Sequence, residues 1–223
     1  MHETTFALPR IERVPKDIDL RRTRHAPNDW RHQLPVLTGR LLTLREVRSE
    51  DAAELLPLLA APEVTRFMSP PPGSVERLVA FVETTHRERR AGRYAGFAIV
   101  PHEIGRPVGL VQLRQLEPGF ATAEWGVAIG SAWWGRGLFE EAARLALSFA
   151  FETLRVHRLE ARVAAQNGRG MAAVAKLGGV QEGLLRRALL TADGNRVDQV
   201  LWAWLGDEWR ARTTGQEEEL WVH

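Results

Sequence analysis

The sequence predicts an α/β (α+β) fold, one mixed sheet covered by helices. Strand and helix periods alternate along the middle of the chain in the order β α α β β β α β α β β. Three of the strand-like runs follow one another with only turn material between them, as in an antiparallel meander, and the last patterned stretch is a hairpin. One sheet with helices packed on it buries this pattern economically.

The elements follow in order. Leu41 to Val47 alternates as a strand. Ser49 is read as the N-cap of a helix reaching Leu59, with Glu50 and Asp51 suited to the positive end of the helix dipole. Val75 to Arg90 is a second amphipathic helix. Strands at Tyr94–Val100, Pro107–Leu116 and Ala121–Ile129 are separated by turn segments at His102–Arg106 and Glu117–Gly119. A long helix over about Arg136–Leu154, a strand at Arg158–Ala164 and a short helix at Arg169–Leu177 come next, and Gly178-Gly179 stops that helix as a C′ glycine does. The hairpin pairs strands near Val180–Leu190 and Val197–Leu205 around Ala192-Asp193-Gly194-Asn195. Residues 1–35, rich in charge and proline, are read as an N-terminal extension, residues 36–207 as the folded domain and residues 208–223 as a tail.

The 223 residues suit one domain with extensions, and the 44% hydrophobic content is enough for a sizeable core. There is no cysteine, which excludes a disulfide framework, a zinc-thiolate site and a cysteine nucleophile. The net charge is +2, nearly balanced. The pI of 9.6 reflects positive charge that is almost all arginine rather than a polyanion-binding excess. The basic cluster Arg21-Arg22-Thr23-Arg24-His25 is read as a solvated arm, so nucleic acid is not an expected partner. The first 20 residues lack an apolar signal core, and no stretch approaches the ~20 apolar residues of a membrane span. Cytoplasm is the expected compartment, without a membrane partner.

The chemistry concentrates in Ala123-Glu124-Trp125-Gly126-Val127-Ala128-Ile129-Gly130-Ser131-Ala132-Trp133-Trp134-Gly135-Arg136-Gly137-Leu138-Phe139-Glu140-Glu141-Ala142, where a strand ends, glycines follow and a helix starts. A helix start leaves backbone N–H groups unpaired and carries partial positive charge, which suits a phosphate or pyrophosphate. Gly135 and Gly137 let the backbone approach such an anion, and Arg136 adds a cation. Alone, the Gly-Arg-Gly reads first as a plain turn, and neither common nucleotide fingerprint fits.

In context these residues resemble the GCN5-related N-acetyltransferase (GNAT) superfamily, on the side of its ribosomal-protein alanine N-acetyltransferases. The resemblance runs from Leu37 to Trp209. It is carried by Glu124-Trp125-Gly126-Val127, Trp134 to Ala142, His157-Arg158-Leu159-Glu160-Ala161, Asn167, Lys176-Leu177-Gly178, Glu182-Gly183-Leu184-Leu185-Arg186 and Asp198. It implies a mostly antiparallel sheet with splayed central strands, helices on both faces, and acetyl-CoA as co-substrate with no metal. The pantetheine would enter the splay beside Val127, Ala128 and Ile129. The pyrophosphate would meet the amides of Trp134, Gly135, Arg136, Gly137, Leu138 and Phe139, while Asn167 would hold the pantetheine arm and Arg169 a phosphate. The implied reaction is direct transfer of acetyl to a primary amine, a protein N-terminus or a small amine. An antibiotic or amino-sugar acceptor, and a non-catalytic acyl-CoA-binding regulatory domain, are the alternatives; a homodimer is possible for the family.

Direct transfer needs a proton acceptor and a donor to the thioester oxygen. A backbone N–H at a strand bulge near Val127 or Ala128 is the expected donor. Glu124 is a candidate proton acceptor, or else a sheet residue paired to an arginine. Asp198 is a second candidate whose structural reading comes first, and His102 is read as exposed. Glu160 is expected to pair with Arg158 or Arg162, and Trp125 to line an acceptor pocket or the core. The chain departs from the family pattern in three places. Phe139 replaces a small residue, so its side chain is expected to enter the core. Gly170 stands where relatives carry a serine acid, and Leu189 where some carry a glutamate base. The only tyrosine, Tyr94, lies in an early strand.

Overall fold

The computed structural model describes residues 29–211. Its strands are β1 (Leu37–Thr38), β2 (Leu42–Glu46), β3 (Tyr94–Pro101), β4 (Gly109–Gln115), β5 (Thr122–Ile129), β6 (Arg158–Ala164), β7 (Val180–Leu190) and β8 (Arg196–Leu205). Its helices are α1 (Ala52–Leu59), α2 (Pro62–Thr65), α3 (Val75–Arg90), α4 (Leu138–Ser148) and α5 (Gly168–Ala175), with a helical stretch over 206–211. The strands form one sheet in the order β1-β2-β3-β4-β5-β6-β8-β7. All pairs are antiparallel except β5 with β6, the one junction that a crossover helix, α4, has to span.

Period-two alternation sends neighbouring residues to two cores. Phe97, Ile99, Val111, Leu113, Trp125 and Val127 face α4, whereas Ala98, Val100 and Ala128 face α1 and α3. Because β3 is covered on both faces, its sequence AGFAIV is an almost unbroken apolar run rather than an alternating one. Helices therefore pack on both faces of the sheet, as the resemblance implies.

The differences from the sequence expectations are local. Ser49 does not cap: a 3-10 turn over Ser49–Asp51 precedes α1, and the Asp51 carboxylate accepts from the Arg48 amide at 2.8 Å and from Arg45 at 2.7 and 2.8 Å. The short α2, opened by Pro62 at its first position, was not expected. The long helix starts at Leu138 rather than Arg136, because Gly135 and Gly137 take φ of 75° and 78°, outside helical space. It ends in a π turn over Phe149–Thr153.

The extension read at residues 1–35 lies mostly outside the described residues. Its last part is core: Trp30 and Leu34 are buried, and Trp30 meets Phe120 edge-on at 5.5 Å. Beyond residue 207, Trp209 stacks on Phe151 at 5.3 Å, while residues 212–223 of the tail, and the basic cluster at 21–25, also lie outside the described residues. No helix among the described residues is long and apolar enough to cross a membrane.

Candidate active site

β5 and β6 pair only at Thr122↔Arg158, Ala123↔Leu159 and Glu124↔Glu160, and past that point the two strands part. On its other side β6 stays joined to β8 from Arg158↔Leu205 to Ala164↔Gln199, so the edge of β5 from residue 125 onward is open. The β4–β5 ladder fixes what that edge presents. It runs unbroken from Gln115↔Ala123 to Gly109↔Ile129, and just beyond it the Gly130 amide bonds to the Val108 carbonyl. Pairs in such a ladder bond at alternate residues, so Gly126 and Ala128 turn their N–H and C=O toward β4 and Val127 and Ile129 turn theirs into the gap. No bulge interrupts the ladder at Val127 or Ala128, contrary to expectation. Of the two, Val127 alone can donate its N–H into the splay.

The glycine loop closes one end of the gap. The Trp134 indole N–H donates to the Ile129 carbonyl at 2.9 Å, which ties the loop to the strand edge. Gly137 takes the N-cap position of α4 in a left-handed conformation, and no side chain caps the helix. The first intrahelical bond is Glu141 N–H to Gly137 O, so the amides of Leu138, Phe139 and Glu140 have no partner within the helix. The start of α4 is held from behind. The buried Glu141 carboxylate accepts the backbone N–H groups of Arg40, Leu41 and Leu42 at 2.7, 2.7 and 3.0 Å.

The facing wall is the start of α5. Asn167 caps it by accepting from the Gly170 amide at 2.9 Å. The Arg169 guanidinium lies 3.5 Å from the centre of the Trp134 ring, bridging the two walls, and burial holds it below its ordinary basicity. Glu140 bonds to Arg144 and to Lys176, both at 2.6 Å. Burial pushes its carboxyl up, but the Lys176 and Arg144 hydrogen bonds outweigh that and hold it below the ordinary value. Together these elements enclose a cavity of about 510 Å³, which runs from the glycine loop and α5 past Val127–Ile129 to Glu63, Val64 and Phe67 at α2.

Nine of the residues expected from the sequence to hold the cofactor line this cavity: Val127, Ala128, Ile129, Trp134, Gly135, Gly137, Phe139, Asn167 and Arg169. Two do not. Arg136 points outward to Glu103 at 3.2 Å with its guanidinium 4.7 Å over the Trp133 ring, and Leu138 is buried in the core. Phe139 meets the core only in part: it packs against it half-buried and also lines the cavity. With α4 starting at Leu138, the inward stripe is Leu138, Ala142 and Leu145, and Phe139 sits about 100° round, half-buried at the cavity wall. Trp125 does not line this cavity: it is buried and packs edge-on against Trp204 at 5.5 Å.

The candidate proton acceptors stand apart from the cavity. Glu124 is buried at the apex of the splay, bonded to Arg114 at 2.6 Å with Arg162 at 3.8 Å. Asp198 accepts the Arg187 amide at 2.7 Å, on a bulged part of β7 where Arg187 has φ of 51°. His102 lies in its turn, 3.1 Å from the Gly39 carbonyl. Glu160 pairs with Arg158 at 2.9 Å and Arg162 at 3.5 Å, in agreement with its structural reading. Tyr94 donates its hydroxyl to Gln112 and is pushed far above its ordinary value by burial. The residues at α2, about sixty positions before the splay, were not singled out, and Lys176 entered only as part of the resemblance, with no role at the site. No local pattern marks Glu63, Val64 and Phe67 as neighbours of Val127.

The geometry fits a CoA thioester: backbone donors and acceptors face an open strand edge, and uncapped amides with left-handed glycines stand at the end of that edge. Comparison with known proteins agrees. The acetyltransferase (GNAT) domain family matches residues 41–180. The chain is 28% identical over 172 residues to N-acetyltransferase p20 of Bacillus licheniformis, itself described as uncharacterized, covering 75% of this chain and 94% of that one. It is 29% identical over 185 residues to the [ribosomal protein uS5]-alanine N-acetyltransferase of Escherichia coli K12, covering 78% and 92%. The structure of Mycobacterium smegmatis RimJ in complex with CoA-disulfide superposes with a TM-score of 0.68 at 27% identity, over 78% of this chain and 85% of that one. Both the backbone geometry of the splay and these matches lead to one assignment: the chain belongs to the GNAT acetyltransferase family and is an acetyl-CoA-dependent acetyltransferase.

Proposed function

We propose that this acetyltransferase acetylates the α-amine of a protein N-terminus, of the ribosomal-protein type, by direct transfer. The observation that carries this reading is the similarity to the uS5-alanine N-acetyltransferase, which extends over 92% of that relative rather than over the cofactor-binding segment alone. Bound acetyl-CoA supplies the activated acetyl thioester. In this reading the backbone of Val127 and Ile129 pairs with the pantetheine arm, and Asn167, whose side-chain oxygen caps α5, offers its amide N–H₂ to the same arm. The amides of Leu138 to Glu140 take the pyrophosphate, with Arg169 as the nearby cation. The Val127 N–H stabilises the oxyanion that develops as the amine attacks. Glu124 and Asp198 support the site, the first by holding Arg114 and Arg162 and the second by fixing the turn at Arg187.

The test is acetyl transfer to a panel of peptides with free α-amines beginning Ala, Ser or Thr, set against polyamines, amino sugars and aminoglycosides. Peptides should show the highest kcat/KM, and N-terminally blocked peptides carrying a lysine should be poor acceptors. Preferential acetylation of amino sugars or aminoglycosides would overturn the acceptor assignment.

A further inference from the structure

Among the described residues, two carboxylates line the cavity. Glu140, toward the α4 end, is bound by Arg144 and Lys176. Glu63, at the α2 end beside Val64 and Phe67, has no ion pair or hydrogen bond with any described residue. The carboxylates at the apex of the splay, Glu124 and Glu160, are both held by arginines, and neither lines the cavity. The incoming amine is mostly an ammonium at neutral pH and must lose a proton before it can attack. A carboxylate without a cation of its own, at the edge of an apolar pocket, meets that need.

We propose that Glu63 is the catalytic carboxylate of the acceptor side, pairing with the acceptor's ammonium and taking its proton. This rests on the acetyl-transfer reading of the cavity. One proton passes from the ammonium to the Glu63 carboxylate and, since the residue is exposed, onward to water. The amine nitrogen then forms the C–N bond to the acetyl carbon and the C–S bond breaks. The second nitrogen proton leaves with the sulfur, which departs as the thiol. Val64 and Phe67 give the ammonium an apolar surround, in which its attraction to the carboxylate is stronger than in open water. The role as acceptor site also explains why Glu63 follows Pro62 on a separate helical turn: α2 brings a carboxylate to the cavity that neither α1 nor α3 presents there.

An acid in the first turn of α2 also suits the helix dipole, and the experiment separates the two roles. Glu63→Gln and Glu63→Asp are compared with the wild type in acetyl-CoA affinity by calorimetry, melting temperature, and thiol release with Ala-, Ser- and Thr-starting peptides and simple alkylamines. In Glu63→Gln the kcat/KM for amine should fall about 100-fold, with acetyl-CoA affinity changed by less than about twofold and the melting temperature unmoved. Glu63→Asp should recover part of the rate. Wild-type amine kinetics in Glu63→Gln would overturn the assignment and leave acetyl transfer intact. Parallel loss of acetyl-CoA affinity and melting temperature would also overturn it, in favour of a structural role. A wild-type protein that binds no acetyl-CoA, or acetylates none of the panel, would overturn both readings.

Discussion

Gly137 meets two demands at one position. Its φ of 78° lies where L side chains are strained, and a Cβ there would stand 3.3 Å from Leu41 Cδ1. It also precedes the uncapped amides of α4, so a carboxylate added here would repel the pyrophosphate as well as crowd it. Gly137→Glu should reduce acetyl-CoA affinity by at least about 100-fold, on the order of 3 kcal/mol. Equal calorimetric affinity in mutant and wild type would remove the glycine loop from the phosphate site. This position was readable in the sequence because a left-handed turn before a helix leaves few residues to choose from. Phe139 was not readable in the same way. Its size suggested a core residue, but its direction depended on where α4 begins, and the two left-handed glycines move that start two residues along. Glu124 shows a different limit: both its readings were open until the register put Arg114 opposite it.

At the scale of elements, α4 is located by one charged contact. Glu141 sits in its first turn, one residue after Glu140, and its buried carboxylate gathers two amides from the turn before β2 and the first amide of β2 itself. Gly39 in that turn has to be glycine, since a Cβ would come within 2.6 Å of Glu141 Cδ. Glu141→Gln keeps the shape but loses the charge and sets an N–H₂ against backbone donors. It should cost about 2–3 kcal/mol of stability and raise the KM for acetyl-CoA more than it lowers kcat. Melting curves and steady-state kinetics check both parts; a stability loss with unchanged KM would mean that the clamp does not position the glycine loop. The strands from β2 to β8, with α3, were legible to within a few residues because their apolar runs are bounded by turn residues. The four residues of α2 and the π turn after α4 were not. One is too short to show a period, and the other changes the helical repeat without any sequence mark.

Over the whole molecule, stability should fall as the solution becomes acidic. The Glu140 carboxyl lies below its ordinary value of 4.5, with burial opposing and the Lys176 and Arg144 bonds prevailing. A carboxyl depressed in the folded state adds stability that is present above its unfolded value and is lost as pH falls through the folded value. Glu88, held down by its hydrogen bonds with Arg93, acts in the same sense but is more exposed and more screened. The melting temperature should therefore drop as the pH falls below the ordinary carboxyl value of 4.5. In Glu140→Gln it should start lower at pH 7 and drop less, and an identical acid transition in mutant and wild type would assign it to other groups. What the sequence could not disclose at this scale is the meeting of distant parts. Trp30 reaches the core beside Phe120, and α2 closes the cavity opposite α5, both through packing across tens of residues that no local period records.

The short junction between β5 and β6 has a mechanical consequence. Three residue pairs join a five-strand plate, β1 to β5, to a three-strand plate, β6 with β8 and β7. In the proposed binding mode, the pantetheine arm laid along Val127 and Ile129 bridges the two plates where the strands have parted, and it stays there until the product thiol departs. The open part of the seam should therefore be better protected from amide hydrogen exchange with acetyl-CoA bound than without it, and equal exchange in the two states would place the arm elsewhere.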